Sequence, residues 1–199
     1  VGALALTVAT GGGNVGVGTS ALGANTTGSS NAAVGYAAGV AVTTGSGNSA
    51  LGTTALSSNS TGDNNTAVGM NALKNNASGS NNIAVGASAL WGASSSSGSG
   101  NVAVGFDTME TNSTGNYNVA IGYQSIQGNT TGSNNTAVGP LALMGTTTGG
   151  DNTAVGYRAG YTGTALTTGS SNTFIGYGTG TNAAGRTNST ALGNGASTT

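Results

Sequence analysis

The chain has 199 residues, enough for one ordinary domain or a modest pair of them, but only 4% are charged, against roughly 25% in a typical soluble domain. Cysteine and histidine are both absent, which excludes disulfides, thiolate nucleophiles, sulfur-based zinc sites and the usual general base near neutral pH. Three basic residues and a net charge of −1 leave no electrostatic footprint for nucleic acid.

Val1 is not an initiator methionine, and residues 192–196 resemble the start of a further unit, so the chain is expected to be part of a longer product. No basic stretch leads into an apolar run of signal-peptide length, and nothing approaches the ~20 apolar residues of a helical span. No membrane insertion of this segment is expected. Residues 1–13 read as a partial unit. From there a five-residue phrase, Asn-x-Ala-Val-Gly or a close variant, recurs along the chain and ends at Gly18, Gly35, Gly52, Gly69, Gly86, Gly105, Gly122, Gly139, Gly156, Gly176 and Gly193. The steps are 17 residues except for one of 19 and one of 20, which mark two insertions. Residues 1–199 therefore form a single repeat array.

Each unit carries a second signal. Four residues after the anchor glycine sits Leu22, Leu56, Leu73, Leu90, Met109, Ile126 or Leu143. Where glycine takes that place, as at Gly39, Gly160 and Gly180, Val42 and Leu166 are candidates to supply the missing bulk. Ten residues after the anchor comes a Thr-Gly or Ser-Gly turn, such as Thr61-Gly62. The alternation in Thr-Ala-Val-Gly-Tyr has period 2 and its valine column is β-branched almost throughout, which predicts strand. Recurrent glycine would cost a helix roughly 1 kcal/mol each relative to alanine. A unit has room for two short strands and two tight turns, one coil of a solenoid. The predicted fold is thus all-β: a parallel β-roll or β-solenoid of about eleven 17-residue coils.

Stacked coils place like residues in columns. The valine column (Val17, Val34, Leu51, Val68 and their equivalents) is expected inside the coil, facing the leucine column. The small column before it (Ala33, Ala50, Ala67 and on) is expected outside, where another chain can approach closely. The asparagine that opens each phrase, from Asn14 to Asn172, is expected to form a hydrogen-bonded amide ladder. Two large apolar residues per coil make a thin core, so a homo-oligomer packed through the alanine face is predicted.

The Asn-Thr-Ala-Val-Gly-Tyr phrase, its Ala-Leu sequel and the Thr-Thr-Gly-Ser-Asn-Asn turn resemble the head repeats of trimeric autotransporter adhesins, and are similar to related repeats in phage and bacterial tail-fibre proteins. The resemblance spans nearly the whole chain. It implies a left-handed parallel β-roll with three chains side by side, on a cell surface or virion, with a cell-surface glycan or protein receptor as partner. Adhesin-head repeats are usually shorter than these.

Little in the sequence points to chemistry. Asp107 and Glu110 share a coil, but neither has a cationic or histidine neighbour in sequence, and Asp63 and Asp151 fall in turns. Gly11 to Gly18 superficially resembles a dinucleotide-binding turn yet lacks a helical sequel. No catalytic residue, metal site or cofactor is expected. Asn-x-Ser/Thr triplets recur at Asn25, Asn59, Asn76, Asn112 and Asn129, candidate glycan attachment points if that turn faces outward. Aromatics follow several anchors (Tyr36, Phe106, Tyr123, Tyr157, Tyr177), suited to packing at a coil corner or a seam between chains and, less readily, to stacking on sugar rings. The insertions at residues 91–97 and 161–164, with Trp91 and Tyr161, break the lattice and are candidate ligand-contact loops. The function expected is a non-catalytic extracellular fibre segment serving as spacer and attachment surface. The alternatives are a subunit of a self-assembling filament and, with less support, an ice-binding solenoid built on threonine ranks.

Overall fold

The computed structural model describes residues 5–6, 10–161 and 166–199. Eleven strands form one parallel sheet in strict sequence order: β1 (Val15–Val17), β2 (Ala32–Val34), β3 (Ser49–Leu51), β4 (Thr66–Val68), β5 (Ile83–Val85), β6 (Val102–Val104), β7 (Val119–Ile121), β8 (Thr136–Val138), β9 (Thr153–Val155), β10 (Thr173–Ile175) and β12 (Thr190–Leu192). Two further strands, β11 (Gly180–Thr181) and β13 (Ser197–Thr198), pair with each other in parallel on the last coils. No helix occurs among the described residues. The fold is a β-solenoid.

Register follows the repeat without slippage. Val68 lies beside Val85, Val85 beside Val104, and Val138 beside Val155. The steps of 19 and 20 residues leave the ladder intact: Ala84 still meets Ala103, and Ala154 still meets Phe174. In the first insertion the extra chain turns outward, with Ala93, Ser94 and Ser95 exposed, and the strands do not shift.

Among the described residues, the second strand predicted for each coil is absent from coils one to nine. The wall opposite the sheet is bonded coil to coil, as in Leu56 N–H to the Ala72 carbonyl (2.9 Å) and Leu73 N–H to Ala89 (3.0 Å). Its backbone alternates, however. Leu56 and Leu73 have φ of 54° and 50°, and Thr54 and Asn71, two residues earlier, have 54° and 59°. Left-handed residues at every second position curl the chain into successive turns, and an extended strand cannot form. Because an L side chain costs roughly 1–2 kcal/mol in that region, burial of the leucines (Leu56 and Leu73 are 0% exposed) must outweigh the strain.

The two faces of the sheet are reversed from expectation. Ala67, Ala84, Ala103 and Ala120 are wholly buried, whereas Val17, Val34, Leu51, Val85 and Ile121 lie 37–51% exposed on the outside. The valine column is continuous, but it runs along the exterior. Each coil is narrow. The leucine of the turn wall crosses the interior and meets the strand's central methyl group, leaving no volume for a second branched side chain. The interior is a leucine column flanked by alanine columns from both walls, Ala67 and Ala84 from the sheet with Ala55, Ala72 and Ala89 from the turns.

Compensation at Gly39 is as expected. A methyl on Gly39 would lie 3.0 Å from Leu22 Cδ2 and 3.4 Å from Val42 Cγ2, because Val42 has moved into the space the leucine would fill. At Gly160 the space is taken by Leu143 and by Phe174, which replaces the strand alanine and whose Cδ2 would lie 3.4 Å from an added methyl, while Leu166 is buried beside Gly169.

Two asparagine columns finish the interior. Asn65, typical of the predicted ladder, donates from Nδ2 to Asn48 Oδ1 (3.1 Å) and to the Gly79 carbonyl (2.9 Å), while its Oδ1 accepts from Asn82 N–H (3.0 Å). The unit repeats from Asn48 to Asn172. The buried amides of this ladder thus find partners in the coils on either side, as burial of polar groups demands, whereas in the second column both side-chain polar atoms of Asn25 and the Oδ1 of Asn129 are buried without a hydrogen bond.

Candidate interaction surface

With the alanines inside, the outer sheet face becomes the most distinctive surface of the molecule. Each strand presents two outward side chains. The column before the alanine holds Val15, Ile83, Val102 and Val119 as well as Thr66, Thr136, Thr153, Thr173 and Thr190; the column after it is aliphatic in all eleven strands. The result is a flat, uncharged aliphatic stripe the length of the array, with a shallow depression where Ala32 and Ser49 leave space beside Val34, Leu51 and Val68. The sequence expectation had put the contact face on the alanines. The signal that marks the true one is that residues on both sides of the alanine are β-branched, so the alanine is the exception on its strand.

A line of rings borders this face at the anchor corner. Tyr36, Phe106, Tyr123 and Tyr177 are 49–61% exposed and Tyr157 is 40% exposed. Phe106 stacks on Tyr123 (centroids 5.9 Å apart, 8° between planes), and Tyr157 stacks on Tyr177 (5.3 Å, 19°). The aromatics occupy the corner, as expected, and no side chain of their own chain covers them fully.

The insertions each carry a ring held by a cation. Lys74 Nζ sits 5.4 Å from the Trp91 ring centre, one coil away, and the Arg158 guanidinium lies 5.0 Å from the Tyr161 ring. Both rings are half-buried, so they serve partly as covers for the coil. Residues 162–164 of the second insertion lie outside the described residues.

The proposed glycan positions are contradicted. Asn25, Asn59, Asn76, Asn112 and Asn129 are 0–1% exposed. Asn59 closes its own turn by donating to the Gly62 carbonyl (2.9 Å) and accepting from Gly62 N–H (3.1 Å), and Asn76 donates to Asn59 Oδ1 (3.1 Å). Asn129 bonds to Asn112 in the same way (2.8 Å). A sugar on these inward-facing nitrogens would require the coil to open. This second ladder shares its interior column with Val42 and Leu166, which is why apolar residues can replace asparagine there.

The acidic residues serve local structure. Asp63 accepts from Ser46 N–H (2.7 Å), Asp151 from Asn134 Nδ2 (3.2 Å), and Glu110 Oε2 from Gln127 Nε2 (2.7 Å), each across one coil step. Among the described residues there is no group of three or more potential metal ligands, and none of the helices a membrane span would need. The glycines before Asn14 lead into β1, not into a helix, so they form no phosphate-binding turn.

Compared with protein-family models, with curated proteins and with solved structures, the chain matches none.

Proposed function

We propose that the chain is a non-catalytic segment of an extracellular fibre, of the kind found in surface adhesins and phage tail fibres, acting as a rigid spacer and attachment surface in a left-handed, homotrimeric assembly. The observation that carries this reading is the uninterrupted aliphatic face. Val17, Val34, Leu51, Val85 and Ile121 along it are 37–51% exposed, and a contiguous exposed apolar patch of this kind marks an interaction site. A flat face without charge, repeated identically along the axis, suits side-by-side packing of identical rods. Eleven coils at ~4.8 Å give a rod on the order of 50 Å, and bundling three such rods would stiffen it. The contact expected between alanine columns moves in this reading to the valine columns.

Sedimentation equilibrium of the chain tests the assembly. A trimer is expected, and charging the face with the pair Val68→Lys and Val138→Lys should yield a folded monomer. A stable monomer of the unaltered chain at micromolar concentration would remove the reading. The ice-binding alternative gains nothing from the outward face, because its threonines at 66, 136, 153, 173 and 190 are interrupted by Ile83, Val102 and Val119.

A further inference from the structure

Most columns are fixed by the lattice, so a column that changes character part-way along the array reports something other than folding. The position after the anchor glycine does this. In the first five coils it holds Thr19, Tyr36, Thr53, Met70 and Ala87; in the next five it holds Phe106, Tyr123, Pro140, Tyr157 and Tyr177. Five consecutive coils thus present rings, two stacked pairs on either side of one proline, and all four aromatic rings remain 40–61% exposed.

The neighbouring position changes over the same stretch. Earlier coils place Ser20, Ala37, Thr54, Asn71 and Ser88 there; in the later five coils Leu141 and Gly178 alternate with the polar Asp107, Gln124 and Arg158. These three residues have φ of 51–54°. Small residues and asparagine tolerate that conformation better than glutamine or arginine. Long polar side chains are therefore retained beside the rings at some cost to folding, although the same lattice accepts serine.

We propose that this corner, over the coils anchored at Gly105 to Gly176, binds a linear uncharged oligosaccharide lying along the rod axis. The proposal rests on the attachment role given above. Rings repeated at the coil spacing match a ligand with flat, weakly polar faces in series. The carboxylate, amide and guanidinium beside them supply acceptors and donors for hydroxyl groups. One acidic and one basic group leave the strip without net charge, which disfavours nucleic acid, charged lipid and strongly charged peptide.

The test is calorimetric titration of the chain with cellohexaose, maltohexaose and chitohexaose. Binding of at least one is expected, weakened by about tenfold or more in the double variant Tyr123→Thr/Tyr157→Thr and unchanged in Tyr36→Thr. Threonine already occupies this column at Thr19 and Thr53, so the variants keep a residue the coil accepts. Absence of binding to all three at millimolar concentration, or equal binding by the double variant, overturns the proposal. Sedimentation of the same samples reports the fibre reading separately: a trimer that binds no saccharide leaves that reading intact.

Discussion

Adding one methyl group at Gly69 is the sharpest probe of how the coils stack. The anchor glycines have φ of 115–140°, and a Cβ on Gly69 would stand 2.5 Å from the carbonyl oxygen of Gly86 in the next coil and 3.1 Å from Ala87 N. The backbone conformation alone costs an L residue about 1–3 kcal/mol. Relieving the overlap requires the coils to separate by about half an ångström, overpacking of a kind that typically costs a further 1–3 kcal/mol. The separation also strains the adjoining ladder bonds, Gly69 N–H to the Leu51 carbonyl (2.8 Å) and Gly86 N–H to Val68 (2.8 Å). Gly69→Ala is therefore expected to cost about 2–6 kcal/mol in all. Gly193 provides the comparison: its φ is 115°, but a Cβ there meets nothing within 4 Å. Gly193→Ala should show only the conformational part, about 1–3 kcal/mol at most. Urea unfolding at fixed protein concentration gives both values from the shift in midpoint. If Gly69→Ala is as mild as Gly193→Ala, the close carbonyl approach between coils is wrong.

Further substitutions test the interior and the orientation of the sheet. Ala67→Leu should cost more than about 3 kcal/mol by overpacking a closed site, whereas Val68→Thr one residue on should leave the unfolding midpoint of the coil within about 0.5 kcal/mol; equal effects measured by thermal melts would restore the opposite orientation of the sheet. Asn65→Ala removes three hydrogen bonds and leaves the Asn82 N–H buried without a partner, whereas the Gly79 carbonyl keeps its bond from Asn76 Nδ2 (2.8 Å), for an expected loss of about 1–3 kcal/mol in urea titration. Gly39→Leu alone should destabilise by about 1–3 kcal/mol through contact with Leu22 and Val42, and adding Val42→Asn should recover part of that loss, a favourable coupling that a double-mutant cycle would detect at about 0.5 kcal/mol or more.

The winding was legible because the lattice leaves its mark on residue identity: one asparagine, one alanine and one glycine per coil fix period, register and the amide ladder. The compensation of Gly39 by Val42 was legible for the same reason, since loss of bulk in one column coincides with gain in another. The orientation of the strands was not. Alternation ordinarily separates polar from apolar, but in β5, β6 and β7 the residues on both sides of the alanine are aliphatic, so hydrophobicity favours the wrong face. What decides it is volume, because a leucine from the far wall leaves room for only a methyl group. The missing second strand has a similar origin: Leu73 and Ile126 are ordinary strand formers by identity, and only their φ of 50° and 47° makes them turn residues. The glycan positions failed because asparagine turns that look solvent-facing in sequence close inward on their own glycines.

The first insertion exposes residues 93–95 while the pairing Ala84 to Ala103 continues undisturbed, so every rung depends only on the rung above and the rung below. Removal of one whole 17-residue unit, for example by joining Val68 directly to Gly86, would bring like neighbours together again. The molecule should thus come in discrete sizes, graduated in increments of ~4.8 Å, so that its reach is lengthened or trimmed only by whole rungs.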